Sequence, residues 1–303
     1  MKKKYLITGA AGFIGFNLFN FLKKKKEEVI GLDNFIVKNS IHNKKKKIIN
    51  INILNKSKLK KKLANADIII HLAAIENQNF IKKFPRKSYE INFNGTKNIV
   101  DQLNSNQTLI FFSSNLVYSK ELKYFLSEKS KIEPQGIYGK SKLNAEKYII
   151  NKANKKKFKY FIIRNFSTFG NYQGKNSYIP TLIHSAIKEK KIEVWNTYKL
   201  RDIQYIDDLC QNIYNLILNN DGNKKSHIIN SASGKSYTSK KIAKFIAKKL
   251  FAKCILKKEN TKSYKKKTVV KIDKFKSLIK VKYKTTPINQ SLSRTINFYK
   301  ING

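Results

Sequence analysis

The fold is decided by the stretch Thr8-Gly9-Ala10-Ala11-Gly12-Phe13-Ile14-Gly15, which follows an apolar run and leads into a segment with helical periodicity. A glycine-rich turn in this position is typical of a site that binds a dinucleotide. Gly9 permits a tight turn, Gly12 lets the backbone approach a pyrophosphate, and Gly15 allows the helix to pack closely on the strand. Because a helix N-terminus attracts anions, we predict that Phe13 and Ile14 also lie against the cofactor.

Asp33 ends the next predicted strand, roughly 20 residues after the glycine turn. A carboxylate there can accept hydrogen bonds from the ribose hydroxyls of the adenosine. It would repel the 2'-phosphate of NADP, so the sequence favours NAD as the cofactor. The alternative is an ordinary turn aspartate before Asn34.

Short apolar runs alternate with helical stretches and then become less regular. Strands are predicted at about residues 5–8, 29–33, 48–54, 67–72, 109–113, 160–164 and 227–230, with helices at about 13–24, 57–63, 92–103, 138–153 and from about 206. This alternation predicts an α/β fold with a doubly wound parallel sheet, a Rossmann fold, and a smaller, mainly C-terminal α/β domain for substrate. We assign residues 1–168 and 197–232 to the NAD-binding domain, and 169–196 and 233–303 to the substrate-binding domain.

Tyr138 and Lys142 are four residues apart at the start of a predicted helix, which places both side chains on one face. A fixed ammonium and a positive nicotinamide ring would lower the pKa of the phenol and make Tyr138 a candidate general base. Ser114 ends a predicted strand at the sheet edge where ligands of such folds bind. In a chain with 16 tyrosines and many lysines, a tyrosine four residues before a lysine also arises by chance. The alternative for Ser114 is that it only terminates its strand.

The charge composition suggests, but does not require, a nucleic-acid partner. The chain has 64 Lys and Arg against 19 Asp and Glu, a formal net charge of +45. Only four of the basic residues are Arg, the residue that phosphate and base recognition favours. We therefore expect no nucleic-acid partner and attribute the charge to compositional drift, with a selected polyanion surface as the alternative.

The remaining composition argues against a metal site and a membrane anchor. Two cysteines and four scattered histidines, among them His42, show no ligand spacing. The apolar stretch after the N-terminal lysines is interrupted by glycine and asparagine, so we read it as the phosphate-binding turn rather than a signal peptide. A cytoplasmic protein without a metal is expected.

Taken in order, these motifs resemble those of the extended short-chain dehydrogenase/reductases, in particular the NAD-dependent epimerase/dehydratase family that modifies nucleotide sugars. The resemblance rests on residues 8–15, 33–34, 67–74, 92–98, 113–118 and 138–142. It implies a catalytic triad of Ser114, Tyr138 and Lys142, and a homodimer. It also implies that the residues bordering NAD include Asn34, Asn52, Ile53, Leu72, Ala73, Ala74, Asn92 and Phe166.

The resemblance further implies that the substrate is a nucleotide sugar, bound by Ser114, Ser167 and Arg201. In a chain that uses Lys almost everywhere, Arg201 suggests bidentate contact with a diphosphate, with a structural ion pair as the alternative.

Asn115 and Leu116 stand where dehydratases and decarboxylases of the family usually carry acids, so a 4-epimerase of a UDP-hexose is favoured. A nucleotide-sugar 4-ketoreductase is the alternative, and an RNA-binding or cofactor-sensing protein is the alternative of another class. Three departures from the family pattern leave the sugar open. Ser167 replaces a common asparagine, Glu76 stands where a basic or neutral residue often borders the cofactor, and only Lys265 to Lys267 lie near a missing Arg-x-Gly-Asp pattern.

Overall fold

The computed structural model describes residues 2–36, 47–120, 125–257 and 269–302. The strands are β1 (Lys4–Thr8), β2 (Glu28–Asp33), β3 (Ile48–Asn50), β4 (Ile68–His71), β5 (Thr108–Ser114), β6 (Phe125–Leu126), β7 (Lys159–Asn165), β8 (Ser167–Phe169), β9 (Lys191–Val194), β10 (Leu200–Tyr205), β11 (His227–Ser231), β12 (Ser236–Thr238), β13 (Lys253–Leu256) and β14 (Val269–Val270). The helices are α1 (Phe13–Lys24), α2 (Lys56–Ala64), α3 (Gln78–Lys83), α4 (Pro85–Val100), α5 (Gly136–Lys156), α6 (Tyr178–Lys188), α7 (Ile206–Asn219), α8 (Ser239–Leu250), α9 (Asp273–Ile279) and α10 (Ile288–Asn302).

Seven strands form one sheet in the order β11-β7-β5-β4-β1-β2-β3. The pairings of β1 with β2 and β4, and of β5 with β4 and β7, are all parallel. The chain reverses its direction of winding at β1, so the loops after β1 and β4 open on the same crevice. The predicted doubly wound parallel sheet is confirmed.

Apolar residues on both faces explain why the central strands form. All four residues of β4 are buried, as are six of the seven residues of β5. Such continuous burial is typical of parallel strands that are covered by helices on both sides. Leu59 and Leu63 of α2 and Ile91 and Ile99 of α4 belong to the same apolar core as the strands.

The chain forms two compact units. Unit 1 contains Met1–Glu121, Ser130–Asn165 and Gly222–Ile229, and unit 2 contains Leu122–Lys129, Phe166–Asp221 and Asn230–Gly303. Residues 197–221 lie in unit 2, whereas the sequence assigned them to the first domain. The reason is that β10 pairs with β8 and β12 in a separate three-stranded sheet. The predicted division into cofactor and substrate domains stays a prediction.

A buried ion pair fixes α5 against the sheet in unit 1. The Arg164 Nη2 donates to the Glu146 carboxylate at 2.7 Å, and the two side chains are 5% and 2% exposed. Ser113 Oγ donates to the other carboxylate oxygen at 2.5 Å, and Arg164 Nη1 donates to the Tyr118 hydroxyl at 3.1 Å. The Glu146 carboxylate of α5 therefore joins β5 and β7, and Arg164 extends this link to the segment after β5.

Within the described ranges, no helix has the length and apolarity needed to cross a membrane. The same ranges contain no cluster of three or more His, Cys, Asp or Glu side chains that could hold a metal ion. His42 and Lys265 to Lys267 lie outside the described residues.

Replacing Arg164 with Met should lower the free energy of unfolding by about 3–5 kcal/mol, because the substitution leaves the Glu146 carboxylate buried without its cation. Lys152→Met is the matched control. It breaks the partly exposed Lys152–Asp101 pair at 3.1 Å and should lower the free energy of unfolding far less, because water and salt screen that pair. Urea unfolding curves measure both, and equal losses in the two variants would contradict the assigned role of the buried pair.

Candidate active site

The glycine turn after β1 is held against the loop after β4. Gly9 has φ +73°, and a Cβ at this position would lie 2.6 Å from the Ala73 nitrogen. A Cβ on Gly15 would collide with the Gly9 carbonyl oxygen. Gly12 N donates to the same carbonyl at 3.0 Å. These contacts explain why the turn needs glycine at positions 9 and 15.

The N-terminus of α1 fits the pyrophosphate of a dinucleotide. The helix begins at Phe13, its N-cap residue Gly12 has no side chain to cap it, and no acidic residue lies in the first turn. The first-turn amides, among them those of Phe13 and Ile14, have no partner within the helix. They suit an anion, which the helix dipole also favours.

Asp33 connects the glycine turn to the end of β2. Its Oδ2 accepts a hydrogen bond from Ala11 N at 2.9 Å, and its Oδ1 accepts one from Phe35 N at 2.7 Å. A carboxylate has about four lone-pair sites, so two remain for ribose hydroxyls. The sequence predicted only the ribose contact and missed the bond to the glycine turn.

The residues expected around the adenine lie in unit 1 and make local contacts. Asn34 Oδ1 accepts from Ile36 N at 3.2 Å, and Asn52 Oδ1 accepts from Leu54 N at 2.9 Å, so both side chains close turns. Ile53 is buried, and a Cβ on Gly95 of α4 would collide with it. Their contact with a cofactor stays a prediction.

His71 at the end of β4 links the glycine turn to α4. Its ring nitrogens contact the hydroxyls of Thr8 at 2.7 Å and Thr96 at 2.9 Å. Burial, with a smaller effect of the Lys142 charge, lowers the pKa of His71 to about 3. This histidine is therefore a neutral structural link rather than an acid or base.

Asn92 ties the loop after β4 to α5. Its Oδ1 accepts from Ile75 N at 2.7 Å, and its Nδ2 donates to Ile75 O at 3.0 Å and to Ser141 Oγ at 3.3 Å. The preceding residues Leu72 to Ala74 are partly exposed at the carboxyl edge of the sheet. One buried amide thus fixes this loop relative to the helix that carries Tyr138 and Lys142.

Ser114 and the start of α5 meet through a short 3-10 turn at Asn115–Val117. Ser114 Oγ caps this turn by accepting from Leu116 N at 3.1 Å. Leu116 O in turn accepts from Gln135 N at 2.8 Å, and a Cβ on Gly139 would collide with that same oxygen. The glycine in Tyr138-Gly139-Lys140-Ser141-Lys142 therefore lets α5 approach the end of β5.

Lys142 is a buried cation that is 2% exposed. Its Nζ donates to Phe112 O at 2.7 Å and lies 4.8 Å from the ring centre of Phe111 and 5.7 Å from that of Tyr138. Burial lowers the pKa of Lys142 to about 8, against the opposing effect of Glu76 and Glu146. The predicted proximity of the phenol ring and the ammonium is thus present.

Tyr138 is partly buried, and the pKa of its phenol is raised, mainly by burial and then by the nearby Glu76 carboxylate. The sequence predicted a pKa lowered by the Lys142 charge together with the nicotinamide ring, and for the NAD complex this stays a prediction. Spacing along a helix does not reveal how much water the surroundings displace, nor a carboxylate from another loop.

Glu76 is a charged residue near Tyr138 and Lys142 that was not among the site residues predicted from the sequence. It follows Ile75, and its charge acts on both Tyr138 and Lys142. The sequence did contain one indication that Glu76 is unusual: an acidic residue stands where the family often has a basic or neutral one.

Three predicted residues lie in unit 2. Phe166 is buried and its N donates to Ser231 O at 2.9 Å, while Ser167 is exposed on β8. Arg201 Nε donates to Ser239 Oγ at 3.2 Å, and its guanidinium lies 3.9 Å from the ring centre of Tyr178. No carboxylate within the described residues pairs with Arg201 in these contacts, and its role toward a diphosphate stays a prediction.

Comparison with known proteins assigns these features to one family. The NAD dependent epimerase/dehydratase family matches residues 5–232. The uncharacterized UDP-glucose epimerase YtcB of Bacillus subtilis (strain 168) is 31% identical over 228 residues, covering 69% of this chain and 71% of that protein. The GDP-6-deoxy-D-talose 4-dehydrogenase of Aggregatibacter actinomycetemcomitans is 31% identical over 227 residues, covering 71% and 70%.

Solved structures share the fold over nearly the whole chain. UDP-N-acetylglucosamine 4-epimerase from Methanobrevibacter ruminantium M1 has a TM-score of 0.87 at 22% identity and covers 100% of both chains. UDP-glucuronic acid 4-epimerase from Bacillus cereus, solved with UDP-glucuronic acid and NAD, has a TM-score of 0.85 at 25% identity and covers 98% of this chain and 99% of that one. This chain therefore belongs to the NAD dependent epimerase/dehydratase family, is an enzyme, and uses NAD.

Proposed function

We propose that this enzyme is a nucleotide-sugar 4-epimerase that acts on a UDP-hexose through a transient 4-keto intermediate. The observation that carries the proposal is that Tyr138, Lys142 and the Ser114 turn lie together at the carboxyl end of β5, in the same sheet whose strand β1 leads into a glycine turn that fits NAD. Relatives named as nucleotide-sugar epimerases support it. Asn115 and Leu116 leave the end of β5 without a carboxylic acid for elimination.

In this proposal the protein groups handle protons and orientation. Tyr138 takes the proton of the sugar 4-hydroxyl and later returns it, while the Ser114 hydroxyl donates a hydrogen bond to the same oxygen. Lys142, held by the Phe112 carbonyl, stabilises the phenolate by its charge. When bound, NAD would accept and return a hydride, and its positive charge would oppose the effects that raise the pKa of Tyr138.

The glycine turn, Asp33 and the loop after β4 would hold the cofactor. Gly9, Gly12 and Gly15 let the backbone approach the pyrophosphate, and Asp33 would accept from the adenosine ribose. Arg201 would contact the nucleotide diphosphate of the substrate with its planar guanidinium. We further propose that the protein is cytoplasmic and that it forms a homodimer. Light scattering on purified protein, which measures the molar mass in solution, tests the homodimer.

A 4-ketoreductase is the second candidate. The relative named GDP-6-deoxy-D-talose 4-dehydrogenase, 31% identical, favours a net redox reaction at the same carbon. Incubation with UDP-, dTDP- and GDP-sugars separates the two reactions. Interconversion without consumption of added NADH supports the epimerase, whereas stoichiometric consumption with a keto-sugar supports the reductase.

Tyr138→Phe should slow turnover of the nucleotide sugar by about 10²–10⁴-fold and leave the affinity for NAD within a few fold of the wild type. The substitution removes the proton-transferring oxygen but keeps the ring that packs near Lys142. Product formation and calorimetric titration with NAD measure the two effects. Tyr160→Phe, a partly buried tyrosine on β7, is the control and should retain activity. A Tyr138→Phe variant whose turnover is close to that of the wild type would refute the mechanism.

Gly9→Ala should abolish NAD binding because its Cβ would meet the Ala73 backbone at 2.6 Å. Gly222→Ala is the matched control, since Gly222 has a similar φ of +76° but nothing within 4 Å of an added Cβ. Both variants share the backbone strain of about 1 kcal/mol, and only the first has the collision. Equal NAD affinities in the two variants, measured by calorimetry, would contradict the placement of the cofactor.

A further inference from the structure

Glu76 lies on a loop whose position relative to α5 is fixed. The preceding residue, Ile75, exchanges two hydrogen bonds with the Asn92 side chain, at 2.7 and 3.0 Å. The same Asn92 amide donates to Ser141, the residue before Lys142. Asn92 is 1% exposed, so this link is shielded from water. The backbone that leads into Glu76 is therefore held close to the first turns of α5, which carry Tyr138 and Lys142.

The Glu76 carboxylate is accessible and uncommitted. Its side chain is exposed, and among the described residues it takes part in no hydrogen bond or ion pair. The surrounding protein nevertheless displaces enough water to raise the pKa of Glu76, against the opposing Lys142 charge. A group with these properties can accept hydrogen bonds from a ligand or repel an anion.

The charge of Glu76 acts on Tyr138 and Lys142, the side chains against which the sugar would react. It raises the pKa of both Tyr138 and Lys142. The other titratable groups that act at this place are Glu146 of α5, which faces Lys142, and His71 of β4, which stays neutral because burial lowers its pKa to about 3. Any sugar bound against the Tyr138 phenol would therefore experience the Glu76 charge.

We propose that Glu76 is a specificity-determining residue that makes the enzyme select nucleotide sugars with a neutral hexose and reject those with a uronic acid. Hydroxyl groups of a neutral sugar can donate to the carboxylate. A sugar carboxylate beside Glu76 would instead be a like charge, and the two carboxylates would repel each other. This inference rests on the proposed function and narrows its substrate class.

The test compares UDP-glucose with UDP-glucuronate on the NAD-loaded, full-length enzyme at pH 8 and low salt. Both kcat/KM and Kd are measured for each nucleotide sugar. Glu76→Gln should raise the preference for UDP-glucuronate relative to UDP-glucose about tenfold. Glu28→Gln is the matched control, because it removes the same charge from an exposed residue at the opposite, amino end of β2. Its preference should stay within about twofold of the wild type.

A pH series adds a readout that a structural role of Glu76 would not move. The carboxylate is charged above its pKa and neutral below it, so rejection of UDP-glucuronate should be strongest at high pH and weaken as the pH falls through that pKa. The sugar carboxylate stays ionised over this range. The relative preference of Glu76→Gln should be flat in the same series, and Glu76→Ser serves as a second variant if the first is unstable.

The outcomes separate this inference from the proposed function. An unchanged preference in Glu76→Gln, or a pH-independent preference in the wild type, overturns the role of Glu76. Loss of water from the sugar by the wild type but not by Glu76→Gln also overturns it, since Glu76 would then be a catalytic acid. If neither nucleotide sugar is turned over, the proposed function fails while the ratio of Kd values still tests Glu76. Binding of neither overturns both.

Discussion

The site depends on one buried carboxylate, that of Glu146. It accepts from Ser113 on β5 and pairs with Arg164 on β7, so it fixes the position of α5 relative to two neighbouring strands. A buried charge of this kind is tolerated only if its partners satisfy it completely, which leaves α5 little freedom to slide or rotate. Lys142 lies one helical turn before Glu146, and Tyr138 one turn before Lys142. Both therefore project at the carboxyl edge of the sheet.

The charges of the site and of the surface have different origins. Most of the +45 net charge resides in lysines, many at exposed positions, where water solvates each ammonium. In the site, one lysine is buried against a backbone carbonyl and one glutamate remains accessible beside it. The Lys142 ammonium lies 5.7 Å from the centre of the Tyr138 ring, and the Glu76 charge helps to raise the pKa of the Tyr138 phenol.

Much of the fold could be predicted from the sequence because it depends on local patterns. The predicted helix at 13–24 agrees with α1 at both ends, and the predicted strands correspond to β1 to β5, β7 and β11 with shifts at their ends. The assignment of β10 depended on which strands it would pair with, and no local pattern contains that information. Its partners β8 and β12 place it in the small sheet of unit 2.

The sequence predicted which residues form the candidate site, but it did not predict the pKa shifts of their side chains. Spacing alone brought Tyr138 and Lys142 together, and the glycine pattern located the turn that contacts Ala73. The raised pKa of Tyr138 arises from burial and from Glu76, a residue 62 positions earlier that reaches the site through the loop after β4. Such effects follow from tertiary structure, since displaced water and distant charges leave no mark on sequence periodicity.

The most direct measurement is a crystal structure of the enzyme with NAD and a UDP-hexose. We expect the pyrophosphate to lie against the amides of Phe13 and Ile14, and the nicotinamide end to lie within hydrogen-bonding reach of Tyr138 and Lys142. A dinucleotide bound elsewhere, or one whose nicotinamide lies far from both side chains, would contradict this expectation.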